Sequence, residues 1–290
     1  MNQVLFLHWG PGGNCGIERH FGRCGGWQLW DQPRVPELST AHALSDLEQT
    51  AVAQVRTTAR DSLEKQVDLV AHSFGAQLAL YLMAHHPDLI GDVTLLAPSV
   101  SASGAIVSLA RHLSRSRPGM SRLDQLADRY LQTLEPQDFW AMASEIQSRC
   151  PDSIVEYWGA ASKTESGCMA RALGYLGAHS DALDMGTFGA IMTESLERTR
   201  AGRTLSAAEL AGFKGRIHII LGREDVLAPV GAEARKWSAL LPGAEMTFVE
   251  SGHFPHLELV EIVDSMRSRE SSSVRKSSER NSGMTGVAAP

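Results

Sequence analysis

Basic residues do not dominate this 290-residue chain: Lys and Arg number 27 against 33 Asp and Glu, for a net charge of −6 with histidine neutral. A nucleic-acid groove needs a basic face, so no nucleic-acid partner is expected. Long apolar runs are missing too, and no stretch approaches the ~20 residues that cross a bilayer. The apolar segment 4–7 is too short for a secretion signal and has no basic run before it. The expectation is a protein without a membrane span in a reduced, cytoplasmic setting. Cysteine is scarce: Cys15, Cys24, Cys150 and Cys168 form no close pair, which excludes a disulfide framework. Cys15, His20 and Cys24 do not have a familiar zinc-ligand spacing, so neither a metal nor another cofactor is expected. No internal repeat is present.

What remains is ordinary globular material, 43% hydrophobic and 21% charged, long enough for one large domain or a domain with an insertion. Residues 4–8 read as a buried strand running into the sharp turn Trp9-Gly10-Pro11-Gly12-Gly13. Residues 27–30 form a second short strand candidate. Ser45-Asp46-Leu47-Glu48 has the form of a capping box, and Leu44, Leu47, Ala51, Val52, Val55 and Ala59 recur at helical spacing after it. A strand at 67–71, a helix ending at His85-His86-Pro87 and a strand at 92–96 follow.

Residues 101–212 break the alternation with three helical stripes, around Leu123–Leu134, Phe139–Ile146 and Ile154–Ala161, and no convincing strand. The alternation then resumes with a strand at 216–221, a helix at 230–241 and a strand at 245–249. Leu259, Ile262, Val263 and Met266 mark a final helix. The domain expectation is therefore a core at 1–100, a helical insertion at 101–212, and a second core segment at 213–267. The Ser/Arg/Glu-rich stretch 268–290 has too little apolar surface to fold and is expected to be disordered. Strands alternating with helices predict an α/β fold, a mostly parallel sheet of about six strands with helices on both faces.

The chemistry centres on Ala71-His72-Ser73-Phe74-Gly75. A strand, a tight turn and a helix start expose the Ser73 hydroxyl, and the N–H of Phe74 faces the position of a developing oxyanion near a helix N-terminus. Taken alone, the pentapeptide serves equally as a helix cap. Asp225 and His253 each follow a later strand, and in a parallel sheet the C-terminal strand ends share one edge, so all three side chains converge there. His256 is a second candidate base three residues on, and Glu224 a second candidate carboxylate; position after the strand favours His253 and Asp225. His72 and His8 read as buried packing or support residues.

Ser73, Asp225 and His253 in that chain order, with the elbow and the loop His8-Trp9-Gly10-Pro11-Gly12, resemble the α/β-hydrolase fold family of serine hydrolases over about 1–100 and 213–267. Ala71 stands in place of the elbow's first glycine, and Trp9 in place of the glycine after His8. The resemblance implies Ser73 as nucleophile, His253 as general base and acid, and Asp225 as the orienting carboxylate. It implies Phe74 and Gly10 as oxyanion donors, with Trp9 as the alternative to Gly10. It also implies that the insertion forms a lid, with Trp140, Trp158, Met185 and Phe188 as candidate substrate contacts. The expected activity is hydrolysis of a carboxylic ester or thioester of a small-to-medium, partly apolar acyl group through an acyl-serine, without a cofactor. Alternatives are a carbon–carbon bond hydrolase or cofactor-free haloperoxidase-like enzyme on the same three residues, and, from another class, a non-catalytic small-ligand receptor or interaction protein. Oligomeric state is not read from the sequence.

Overall fold

The computed structural model describes residues 2–263, apart from 23, 25, 63, 165 and 180. Six parallel strands form one sheet in the order β2-β1-β3-β4-β5-β6: β1 (Gln3–Leu7), β2 (Trp27–Trp30), β3 (Val67–His72), β4 (Ile90–Leu96), β5 (Ile217–Gly222) and β6 (Glu245–Val249). This is the α/β architecture expected from the alternation. Between them run α1 (Gly16–Phe21), α2 (Ala43–Arg60), α3 (Gly75–His85), then α4 (Ala102–Ser116), α5 (Arg122–Thr133), α6 (Pro136–Arg149), α7 (Cys168–Ala178), α8 (Met185–Arg200) and α9 (Ala207–Leu210), and finally α10 (Val230–Leu240) and α11 (Pro255–Glu258).

The pleat sends alternate residues of each strand to opposite faces, and both faces are covered. Leu5 and Leu7 of β1, Leu69 of β3 and Ile219 of β5 join one core with Leu47, Ala51 and Val55 of α2 and Leu78 and Leu82 of α3. Their neighbours Val4, Phe6, Val70 and Ile220 form the other core with Trp27, Cys15, Ile262 and Val263. Each fully buried leucine contributes about 2 kcal/mol by area, which is why strands this short hold together.

The chain leaves β1 toward β2 on one side and returns through β3 toward β6 on the other, so the sheet changes direction between β1 and β3. At such a switch point the loops after two neighbouring strands part and open a crevice at their C-terminal ends. The loop after β1 begins at His8 and the turn after β3 is at Ser73, so the crevice lies between the two motifs singled out above.

Two local expectations are corrected. Ser45 does not cap α2, because the helix already starts at Ala43. Instead the Glu194 carboxylate of α8 accepts the Leu44 and Ser45 N–H groups at 2.8 and 3.2 Å, so a tertiary contact replaces the local box. The stripe at 154–161 is not an α-helix but two short 3₁₀ turns, Ser153–Tyr157 and Ala160–Ser162, interrupted at Trp158 and Gly159 by extended backbone. The final helix expected from Leu259, Ile262 and Val263 is present at 260–263, after the separate turn α11; Met266 and the stretch 268–290 lie outside the described residues.

Between β4 and β5 the described residues contain no strand. α4, α5, α6 and α8 gather Val107, Leu113, Leu123, Tyr130, Phe139, Met142 and Met192 into a core of their own.

Candidate active site

β3 ends at His72, and the next residue turns sharply. Ser73 has φ +53°, a left-handed conformation that costs a non-glycine residue about 1–2 kcal/mol. Its N–H donates to the Leu96 carbonyl of β4 at 3.0 Å, which pins the turn to the sheet. α3 must then pass very close to β1: a Cβ on Gly75 would stand 2.3 Å from the Leu7 carbonyl oxygen. Glycine at 75 is therefore a packing requirement, while the buried Ala71 fits where the family pattern has glycine.

The Ser73 hydroxyl lies 2.8 Å from His253 Nε2, and His253 Nδ1 lies 2.8 Å from Asp225 Oδ2. With Nδ1–H donating to the carboxylate, Nε2 is left to accept the serine proton. The other Asp225 oxygen accepts the Leu227 and Ala228 N–H groups at 2.8 and 3.0 Å, an arrangement that fixes the carboxylate plane. Asp225 and His253 are 4% and 3% exposed, so this hydrogen-bonded pair lies out of bulk water. The structure thus brings together Ser73, Asp225 and His253. It turns the two rivals away: Glu224 accepts the Ala160 N–H at 2.8 Å, and His256 is fully buried and faces Glu18.

His253 is aimed by groups that the sequence pattern did not identify. Its N–H donates to the Tyr157 carbonyl at 2.6 Å, and a Cβ on Gly252 would meet that same oxygen at 2.3 Å. The Tyr157 ring lies edge-on to His253 with centroids 6.1 Å apart, and burial together with the nearby Asp225 charge pushes its phenol up to about 12. Glu258 accepts the N–H of Gly252 at 3.0 Å, the N–H of Gly159 at 2.9 Å and the Ser162 hydroxyl at 2.8 Å, tying the base loop to the 159–162 turn. Behind Ser73, His72 Nε2–H donates to the His253 carbonyl at 2.7 Å. Burial, reinforced by His256 and His253, holds the His72 ring well below the ordinary histidine pKa, so it is a neutral donor.

The loop after β1 forms the opposite wall. His8 is buried, and that burial lowers its pKa; Nδ1–H donates to the Trp9 carbonyl at 2.7 Å while Nε2 accepts the Gln32 N–H at 3.2 Å. It supports the loop, as expected. Gly10 has φ +56°, and Gly12 leaves room for α8: a Cβ there would lie 2.4 Å from the Asp184 carbonyl oxygen. Trp9, Gly10, Pro11, Ser73, Phe74 and His253 share a cavity of about 360 Å³.

Most of its remaining wall is apolar and comes from the insertion: Ala105, Ile106, Ile154, Leu183, Phe188 and Met192 among others. Phe188 alone of the four candidate contacts lies on that wall. Trp158 is stacked on Phe254 with ring centroids 4.6 Å apart, Trp140 packs edge-on to Phe139 and Phe188, and Met185 is 52% exposed. Trp140 and Trp158 are occupied in packing, and Phe188 shares the wall with Trp9, Phe74, Tyr157 and Phe254 as well as with smaller aliphatic side chains. Gln77, one turn along α3 from the elbow, Ser99 and His179 are polar residues on the wall that no motif singled out.

The sequence profile of the alpha/beta hydrolase family matches residues 15–264. The chain belongs to this family. The match runs through the insertion, further than the segments 1–100 and 213–267 on which the resemblance rested, and starts after the loop at 8–13. Among solved structures, this alpha/beta hydrolase is similar to an esterase from Exiguobacterium antarcticum at 16% identity and TM-score 0.57, covering 93% of this chain and 91% of that one. It is likewise similar to the serine hydrolase CCSP0084 of Cycloclasticus zankles at 16% identity and TM-score 0.53, covering 92% and 88%. The 2-hydroxy-6-oxo-6-phenylhexa-2,4-dienoate hydrolase of Rhodococcus sp. strain RHA1 matches at 14% identity and TM-score 0.57, covering 92% and 89%. At these identities the likeness is one of fold. No curated protein matches the chain. No helix among the described residues is long and apolar enough to cross a membrane.

Proposed function

We propose that this hydrolase cleaves a carboxylic ester or thioester with a small-to-medium, partly apolar acyl group. The observation that carries the reading is the unbroken hydrogen-bonded chain from Ser73 through His253 to Asp225, opening at its serine end into a largely apolar cavity. A serine hydroxyl attacks a carbonyl only as its proton is removed, and His253 Nε2 stands 2.8 Å away to take it. Asp225 holds the imidazole in the receptive tautomer and stabilises the imidazolium that forms.

The tetrahedral oxyanion is held by the N–H groups of Phe74 and Gly10. Phe74 is the first residue before α3, where N–H groups lack intrahelical partners and the helix end favours negative charge. The imidazolium then returns its proton to the departing alcohol or thiol. Water, deprotonated by the same histidine, attacks the acyl-serine and releases the acid. No step requires a metal or an organic cofactor. The insertion acts as a lid whose Ile106, Phe188 and Met192 receive the acyl chain.

The fold likeness to a carbon–carbon bond hydrolase supports a second reading, in which the same serine and histidine act on a diketone. Fluorophosphonate labelling, followed by a panel of esters, thioesters and diketones graded in chain length, tests both. Stoichiometric labelling of the wild type, none in Ser73→Ala, and turnover of short to medium esters or thioesters are expected. Turnover that survives Ser73→Ala in a folded protein would remove the mechanism, and preference for diketones would replace the ester reading.

A further inference from the structure

Directly behind the elbow lies a second group of titratable side chains that the hydrolytic reading does not use. Glu18 of α1, His72 at the end of β3 and His256 of α11 are each 0% exposed. One donor atom from each lies within 4.8 Å of the other two. Among the described residues, three of their polar atoms are buried without a hydrogen-bond partner: Glu18 Oε2, His72 Nδ1 and His256 Nδ1. A carboxylate enclosed this way is costly unless a positive charge faces it. Among the described residues its ion-pair partner is His256, whose Nε2 lies 3.4 Å from Glu18 Oε1.

That separation is long for a hydrogen bond between nitrogen and oxygen. It matches the edge of a tetrahedron around a cation bound at 2.0–2.1 Å, about 3.3 Å. The state of His72 points the same way. Its Nε2–H donates to the His253 carbonyl at 2.7 Å, so Nδ1, which has no partner among the described residues, keeps its lone pair free for a ligand. A metal-bound histidine characteristically gives its other ring N–H to a backbone carbonyl or carboxylate, which fixes the tautomer and aims the ring.

We propose that Glu18, His72 and His256 form a buried divalent-cation site behind the Ser73 elbow, with the two-imidazole, one-carboxylate donor set that suits zinc. The widest separation in the triangle, up to 4.8 Å, closes by about 1.5 Å on binding, and a water completes the shell. The cation joins three segments distant in the chain: α1, the residue before the nucleophile, and the turn that follows His253. It carries no step of the reaction; its role is to replace a weakly satisfied buried carboxylate with a cross-link that steadies the elbow and the base loop.

The test uses the full chain, stripped with a chelator and titrated with Co²⁺ as a visible reporter. One Co²⁺ per chain, with ligand-field bands of a four-coordinate ion and a rise in Tm, is expected. X-ray absorption on the cobalt-loaded wild type should count two imidazoles with oxygen ligands and no sulfur, a measurement that needs no variant. Glu18→Gln and His256→Gln should each weaken binding at least ten-fold, whereas His20→Gln, outside the cluster, should not. Absence of Co²⁺ and Zn²⁺ binding by the wild type overturns the proposal, and so does sulfur in the shell or a band undiminished in folded Glu18→Gln. The outcome is independent of turnover, so it stands or falls separately from the ester reading.

Discussion

Two histidine–carboxylate pairs lie on opposite sides of the elbow, and they are satisfied to different degrees. In front, His253 and Asp225 meet at 2.8 Å, the free carboxylate oxygen takes two backbone N–H groups, and the free imidazole nitrogen meets Ser73. Behind, His256 and Glu18 meet at 3.4 Å, and one polar atom on each lacks a partner among the described residues. Both pairs are buried, so both bear the full desolvation penalty. The front pair is complete because its open valence is taken by the Ser73 hydroxyl. Among the described residues no side chain or backbone group completes the rear pair, and this is the contrast expected between the proposed reacting site and the proposed cation site.

Exchange of the two histidines breaks the comparison most directly. His253→Gln should lower kcat/KM on a nitrophenyl ester by roughly 10⁴- to 10⁶-fold, as expected when a member of a nucleophile–base unit is lost. His256→Gln should cost no more than about ten-fold, with the loss following Tm. Equal losses in the two variants, at equal Tm, would erase the distinction. The carboxylates give the next effect: Asp225→Asn, which keeps the shape but turns the imidazole tautomer the wrong way, should cost about 10⁴-fold in kcat. Glu18→Gln should act on Tm and metal content instead.

The front pair was legible in the sequence, and the rear pair was not, for a physical reason. Ser73, Asp225 and His253 each sit one turn past a strand, so a parallel sheet forces them to one edge whatever the rest of the chain does. Glu18 belongs to a glycine-rich segment without an apolar helical stripe, although it forms α1, and nothing in its local pattern places it against α11. His256 was noticed only as a rival base, and His72 only as packing. The sheet was legible because its central strands are short apolar runs, buried on both faces. The failures came where distant contacts overrule local preference. Glu194 reaches across from α8 to begin α2, and Trp158 spends its ring on Phe254 rather than on the cavity. The helical stripe at 154–161 failed because Tyr157 and Gly159 must present backbone to His253 and Glu258, which a regular helix would have withheld.

Both pairs depend on the same elbow, and a smaller effect checks that dependence. Gly75→Ala places a methyl against the Leu7 carbonyl oxygen, where neither strand nor helix can yield easily. An expected destabilisation of about 1–3 kcal/mol, read by denaturant unfolding, should accompany reduced fluorophosphonate labelling and reduced Co²⁺ affinity together. Loss of labelling with metal binding intact would show that the two sides of the elbow are mechanically separate.

The smallest effect comes from a third enclosed carboxylate, one whose partners are all in place and which acid can reach. Glu194 accepts the N–H groups of Leu44 and Ser45 and the Ser45 hydroxyl, and pairs with Arg198 at 2.8 Å. Burial alone would raise its pKa, but the Ser45 hydrogen bonds and the Arg198 charge outweigh it and hold the carboxyl below its ordinary 4.5. A depressed folded-state pKa means that the stability from Glu194 is fully present above about 4.5 and is lost as pH falls through the lower folded value. The Tm of the wild type should therefore fall more steeply below pH ~4.5 than that of Glu194→Gln, with the gap between them narrowing toward acid. At neutral pH the variant should be less stable by about 1 kcal/mol, the usual worth of a helix cap. A constant gap across the acid range would mean that Glu194 contributes shape rather than charge, and that satisfied carboxylates in this fold, unlike the rear pair, owe their stability to packing.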